Sequence, residues 1–140
     1  MKVKGLNGRA YNLDLKSHLV RPDDERKRSI PHLKARDLLQ EFFNGYFIYE
    51  EVKLPGSRDP SKKSVLFLDF FIPNVMIGVE VHGQQHYEYN PFFHKTISGY
   101  YTSLCRDKIK KEWCEINDIE LIIFDARENT SVWRKQLECF

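Results

Sequence analysis

The 140-residue sequence predicts a single α/β domain, a mixed α+β sheet flanked by helices. Three observations carry this. Ala35, Leu38, Leu39, Phe42 and Phe43 recur at the spacing of one helical face. The runs at 46–54, 64–72 and 75–81 are dense in β-branched and aromatic residues, as strands are. A second helical pattern (Tyr101, Cys105, Ile109, Trp113, Ile116) then leads into the apolar run 119–124. The order is therefore α-β-β-β-α-β. With 41% hydrophobic and 30% charged residues, the chain has too much apolar surface for a disordered or low-complexity class.

Taken in order, residues 1–28 are polar, with weak apolar spacing at Leu13, Leu15, Leu19 and Val20, and read as a partly ordered extension. Ser29 followed by Pro31 signals a helix start, and Asn44-Gly45 its stop. The strand text YFIYEEVKL ends at Pro55-Gly56, and a basic loop leads to SVLFLDFFI. That second run is apolar on both faces and reads as a central, fully covered strand. VMIGVEV follows the Pro73-Asn74 turn and breaks at Gly83. An aromatic, polar loop precedes the second helix, which ends near Asn117-Asp118; IELIIF is the last buried strand and 131–137 a short terminal helix. No repeat or long linker divides the chain. The expected organisation is an extension over 1–28, a core over 29–125 and a helical tail over 126–140, with no separate sequence-reading domain.

The formal net charge of +2 hides an uneven distribution. Residues 112–140 carry seven acidic against three basic groups, whereas residues 1–111 carry nineteen basic against thirteen acidic. The segments 21–36 (six basic, three acidic) and 52–63 (four basic, one acidic) are the densest. Such segments attract polyanions, or simply form a solvated surface. No apolar run approaches the roughly 18 residues of a membrane span, and the first residues contain no apolar stretch of a secretory signal. Cys105, Cys114 and Cys139 are odd in number and lack zinc-ribbon spacing, so free thiols in a reducing cytoplasm are expected.

The informative anomaly is charge inside apolar strands. By strict alternation Asp69 shares a face with Val65, Phe67 and Phe71, opposite Leu66, Leu68, Phe70 and Ile72. Glu80 shares one with Met76, Gly78 and His82, opposite Ile77, Val79 and Val81. An unpaired buried carboxylate costs several kcal/mol, so each acid needs a cation, a donor or a metal. Two such acids on consecutive strands could converge on one divalent ion, and oxygen ligation with open positions suits Mg²⁺. Pairing with Arg or Lys across the sheet is the structural alternative.

The pattern D-(x10)-E-x-H between two hydrophobic strands resembles the PD-(D/E)XK, or restriction-endonuclease-like, nuclease superfamily. LDFFIPNVMIGVEVHGQQHY, followed by RDKIKKEWCEINDIELIIF, is similar to its branch around the very short patch repair endonucleases and small bacterial and phage nucleases. The resemblance covers 29–125 and implies a restriction-endonuclease-like core that hydrolyses DNA phosphodiester bonds with Mg²⁺, for which Mn²⁺ substitutes. It implies a cytoplasmic protein, in the host cytoplasm if phage-encoded, with a homodimer compatible. Asp69 and Glu80 would bind the metal with the backbone carbonyl of Val81. The family's usual Lys two residues after the Glu is here His82, and the Pro before the first Asp is replaced by Leu68. His82 could act as base, position the water or contact the leaving group. Lys108 or Lys111 could supply the missing cation, Lys108 bordering the apolar face.

His86 matches the family's QH and would reach the phosphate or hold the loop. Glu41, Glu50 and Glu51 are open alternatives for a further acid. Arg58, Lys62, Lys63, Lys108 and Lys111 would hold the DNA backbone. His82, His86 and His94, with Cys105, offer a weaker zinc alternative, and Tyr87, Tyr89, Phe92 and Phe93 form either a base-stacking loop or a packed lid. A binding or interaction module on the same fold, its site decayed at His82, is the rival reading.

Overall fold

The structure, a computed structural model, describes residues 1–20, 26–60, 64–83, 91 and 96–139. Its elements are β1 (Lys2–Lys4), β2 (Ala10–Asn12), a 3-10 turn (Lys16–His18), α1 (Ile30–Phe42), β3 (Tyr49–Leu54), β4 (Leu66–Ile72), β5 (Ile77–His82), α2 (Ile97–Ile116), β6 (Glu120–Asp125) and α3 (Thr130–Glu138). The main sheet runs β3-β4-β5-β6. Its first two pairings are antiparallel and β5–β6 is parallel, so the sheet is mixed and the protein α+β. Parallel neighbours need a crossover, and α2 supplies it. No described helix is long and apolar enough to cross a membrane.

Helix α1 begins where Ser29 accepts a hydrogen bond from the His32 N–H at 3.2 Å. It stops before Gly45, whose φ of 94° is one that glycine adopts freely. Its Ala35, Leu38 and Leu39 pack with Trp133 and Leu137 of α3 on Phe70, Ile72, Val79, Ile122 and Phe124. Phe124 and Trp133 stack with ring centres 4.8 Å apart. The opposite face of the sheet holds Val52, Leu54, Leu68 and Phe71 against Trp113, Cys114 and Ile119. The sheet thus lies between α1 with α3 on one side and α2 on the other.

The first residues contribute to that second core. Strands β1 and β2 form a hairpin whose Val3, together with the following Leu13, is buried. The Asn117 side chain clamps it by accepting from the Lys4 N–H (2.7 Å) and donating to the Lys4 carbonyl (2.8 Å). Strand β3 begins at Tyr49 rather than at 46, because Tyr46 and Phe47 are exposed and unpaired with the sheet.

The expected alternation along β4 fails at Asp69. Leu68 and Phe71 face α2, whereas Phe70 and Ile72 face α1. The partner strand reverses at the same level: Glu50 meets α1, but Val52 and Leu54 belong to the α2 side. Glu51, between the pairs Glu50↔Phe70 and Val52↔Leu68, has φ 50°, which rotates the strand. The expectation of a fully covered β4 is corrected accordingly, since Phe67 is 45% exposed.

Candidate active site

The ladder between β4 and β5 runs from Ile72↔Ile77 to Phe70↔Val79. One residue further, side chains replace backbone partners. The Asp69 N–H donates to Glu80 Oε2 at 2.7 Å, and the Val81 N–H donates to Asp69 Oδ2 at 2.8 Å. Each acid therefore satisfies a backbone donor that ordinary pairing would have used. The two carboxylates sit at the point where the strands part, with Glu80 2% exposed and Asp69 half-buried.

Helix α2 brings the remaining groups. Lys110 Nζ donates to Glu80 Oε1 at 2.6 Å. Asp107, one turn earlier, has Oδ1 3.8 Å from Nε2 of His82, which is 4.0 Å from Glu80 Oε1. Among the described residues, ligand atoms of Glu80, His82 and Asp107 lie within 4.8 Å of one another. These groups line a cavity of about 480 Å³ between β5, β6 and α2, with Lys108 and Lys111 at its border and Ile119, Leu121 and Ile123 as its apolar wall.

Burial, and then the charge of Asp69, push the Glu80 carboxyl up to about 8, against the lowering effect of Lys110. Burial works to depress the Lys110 ammonium, yet the charge and hydrogen bond of Glu80, with Asp69 and Asp107 beyond, hold it above its ordinary value. The carboxylates of Asp69, Glu80 and Asp107 thus gather around Lys110 and His82. Such an excess of buried negative charge, on oxygen donors with one imidazole, fits a divalent cation.

The sequence missed Lys110, and the cause is helical phase. The expected inward face of α2 was Tyr101, Cys105, Ile109, Trp113 and Ile116; Trp113 is buried as expected, but Tyr101 and Ile116 are 61% and 42% exposed, and Cys105 is exposed as well. The buried residues are Trp113 and Cys114. Trp113, fully buried, donates its indole N–H to the Pro55 carbonyl at 2.8 Å. That anchor rotates Arg106, Asp107, Lys110 and Asn117 inward, at the spacing of one face. Lys108 and Lys111 are exposed, so the cation beside Glu80 is neither of them but Lys110.

Arg58 is exposed beside Asn7 and Tyr11 of the hairpin. Its loop is tied to α2 through Arg106 Nε and Asp59 Oδ2, 2.9 Å apart. Lys62, Lys63, His86, His94 and the aromatics Tyr87, Tyr89, Phe92 and Phe93 lie outside the described residues. Of the zinc alternative, His82 and Cys105 are described, and Cys105 is exposed on α2. Of the three further acids, Glu41 is exposed and pairs with Arg134 at 2.8 Å. The Glu51 side chain is 45% exposed, with Arg28 at 3.4 Å.

Glu50 lies on the other face, 1% exposed, inside a cationic cluster. Arg36 donates to both of its oxygens, at 2.6 and 3.2 Å, and His32 Nε2 is at 3.0 Å. Arg28 and Arg26 follow at 3.6 and 3.9 Å. Burial alone would raise the Glu50 carboxyl; the His32 and Arg36 hydrogen bonds and the charges of both outweigh it and hold it below its ordinary range. The signal in the sequence was weak. His32 and Arg36 are one helical turn apart and lie among the apolar positions of α1.

No protein-family model matches the chain. No solved structure matches it either. Uncharacterized protein 033L of Invertebrate iridescent virus 3 is 37% identical over 65 residues, which are 46% of this chain and 34% of that protein. Uncharacterized protein 307L of Invertebrate iridescent virus 6 is 37% identical over 71 residues, 51% of this chain and 36% of that protein. The chain spans about a third of the length of the curated relatives it matches.

Proposed function

We propose that the chain is a metal-dependent nuclease that hydrolyses DNA phosphodiester bonds on a restriction-endonuclease-like core. The observation that carries the reading is the meeting of Asp69, Glu80 and Lys110 where β4 and β5 part. The α-β-β-β-α-β order and the mixed sheet agree with it.

Asp69 and Glu80, with the Val81 carbonyl, would hold Mg²⁺ or Mn²⁺. When bound, such an ion lowers the pKa of water and offsets charge on the phosphate. Lys110, bonded to Glu80 Oε1 at 2.6 Å, would supply the cation that the motif lacks where His82 replaces lysine, and would meet a phosphate oxygen or the attacking water. His82, whose Nε2 lies 3.8 Å from Asp107 Oδ1, would position the water or contact the leaving group. Lys108, Lys111 and Arg58 offer charge to the DNA backbone.

The test is plasmid cleavage. Supercoiled DNA should be nicked or cut with Mg²⁺ or Mn²⁺, and not with EDTA or by the Asp69→Ala variant. Activity that persists in either control overturns the mechanism. Tight DNA binding without cleavage under any metal favours the binding-module reading, in which His82 marks a decayed site.

A further inference from the structure

We propose that a divalent transition-metal ion, Mn²⁺ in preference to Mg²⁺, binds between β5 and α2 through one oxygen each of Glu80 and Asp107 and Nε2 of His82. This shares Glu80 with the nuclease reading and extends its ligand set to a helix residue that the strand motif does not contain.

Three features support it. The donor atoms converge from two elements, with separations of 3.8 and 4.0 Å about His82 Nε2. Ligands of an ion with bonds near 2.1 Å stand about 3 Å apart when adjacent and about 4.2 Å when opposed, so small side-chain rotations close the set. A cation already occupies part of the site: the Lys110 ammonium lies 2.6 Å from the Glu80 oxygen the ion would use. Access is provided by the cavity of about 480 Å³ that the same three residues line.

The preference follows from the donors. Mg²⁺ binds oxygen and dehydrates reluctantly, whereas imidazole nitrogen suits the first-row transition metals. A site with two carboxylates and one buried imidazole therefore favours Mn²⁺ over Mg²⁺. Lys110 and the ion compete for Glu80 Oε1, and removing the ammonium frees that oxygen.

Calorimetric titration of the metal-free full chain with MnCl₂ and MgCl₂ tests this. One Mn²⁺ should bind per chain, at least about tenfold tighter than Mg²⁺. His82→Gln should abolish that margin, and Asp107→Asn should weaken both metals at least about tenfold. Lys110→Met should tighten both. Circular dichroism confirms the fold of each variant; Asp107 lies half-buried on α2, so its variant carries the test if the His82 variant does not fold. Unchanged Mn²⁺ affinity in Asp107→Asn overturns the ligand set, as does weaker binding in Lys110→Met. Metal-dependent cleavage that needs Asp69 would then keep the nuclease reading while this inference fails. Binding that needs His82 and Asp107 without any cleavage gives the reverse.

Discussion

Replacing Glu50 by Gln should unfold the protein more readily than any surface change. The substitution keeps the shape of the side chain but removes the charge that faces Arg36 at 2.6 Å, His32 at 3.0 Å and Arg28 at 3.6 Å. These partners are themselves largely buried, so water cannot take over the lost role. Breaking a buried pair on one side typically costs about 3–5 kcal/mol, because the remaining charge stays desolvated. For a domain of this size that corresponds to a melting temperature lower by roughly 10–20 °C. Arg26 is the contrast: its side chain is 56% exposed and 3.9 Å away, and Arg26→Ala should cost no more than about 1 kcal/mol. Thermal and urea melts by circular dichroism measure both. The pH dependence has a definite sign. The Glu50 carboxyl is held below its ordinary value near 4.5, so its stabilisation is complete above that pH and disappears as the pH falls through the lower, folded value. Glu50→Gln should therefore flatten the acid side of the stability curve. A Glu50→Gln variant within about 1 kcal/mol of the parent at neutral pH would refute the ion-pair argument.

Two further outcomes concern packing. Cys105 and Cys139 are exposed, whereas burial, and then the Glu80 charge, push the Cys114 thiol up to about 12. A thiol reagent at pH 8 should therefore modify two cysteines of the native chain, and the third only in denaturant; three fast thiols would contradict the packing under α2. Gly78→Ala would place a methyl 2.9 Å from Leu68 Cδ2 and 3.4 Å from Ile119 Cγ2. That overpacking should cost about 1–3 kcal/mol in urea melts; a variant as stable as the parent would contradict the close packing of Gly78 on Leu68.

Much of the fold is legible along the chain because period is a local property. Ser29, the spacing from Ala35 to Phe43 and the stop at Asn44-Gly45 bound α1 almost to the residue. The apolar runs marked the main-sheet strands, and the parallel β5–β6 pair follows from a helix between them. Asp69 and Glu80 stood out by the same logic, since a charge among apolar neighbours can be seen without knowing what it meets. Their meeting across β4 and β5 required the register of two strands.

What tertiary structure alone decided is phase and partnership. The rotation of α2 was set by Trp113 reaching the Pro55 carbonyl, 58 residues away, and that contact turned Lys110 rather than Lys108 toward Glu80. The reversal at Glu51 and Asp69 sent Glu50 to Arg36 and His32 instead of to the acids across the sheet. A sequence states the spacing of side chains on an element. Which way the element faces depends on the largest side chains finding room and the buried charges finding partners, and those are contacts between residues far apart in the chain.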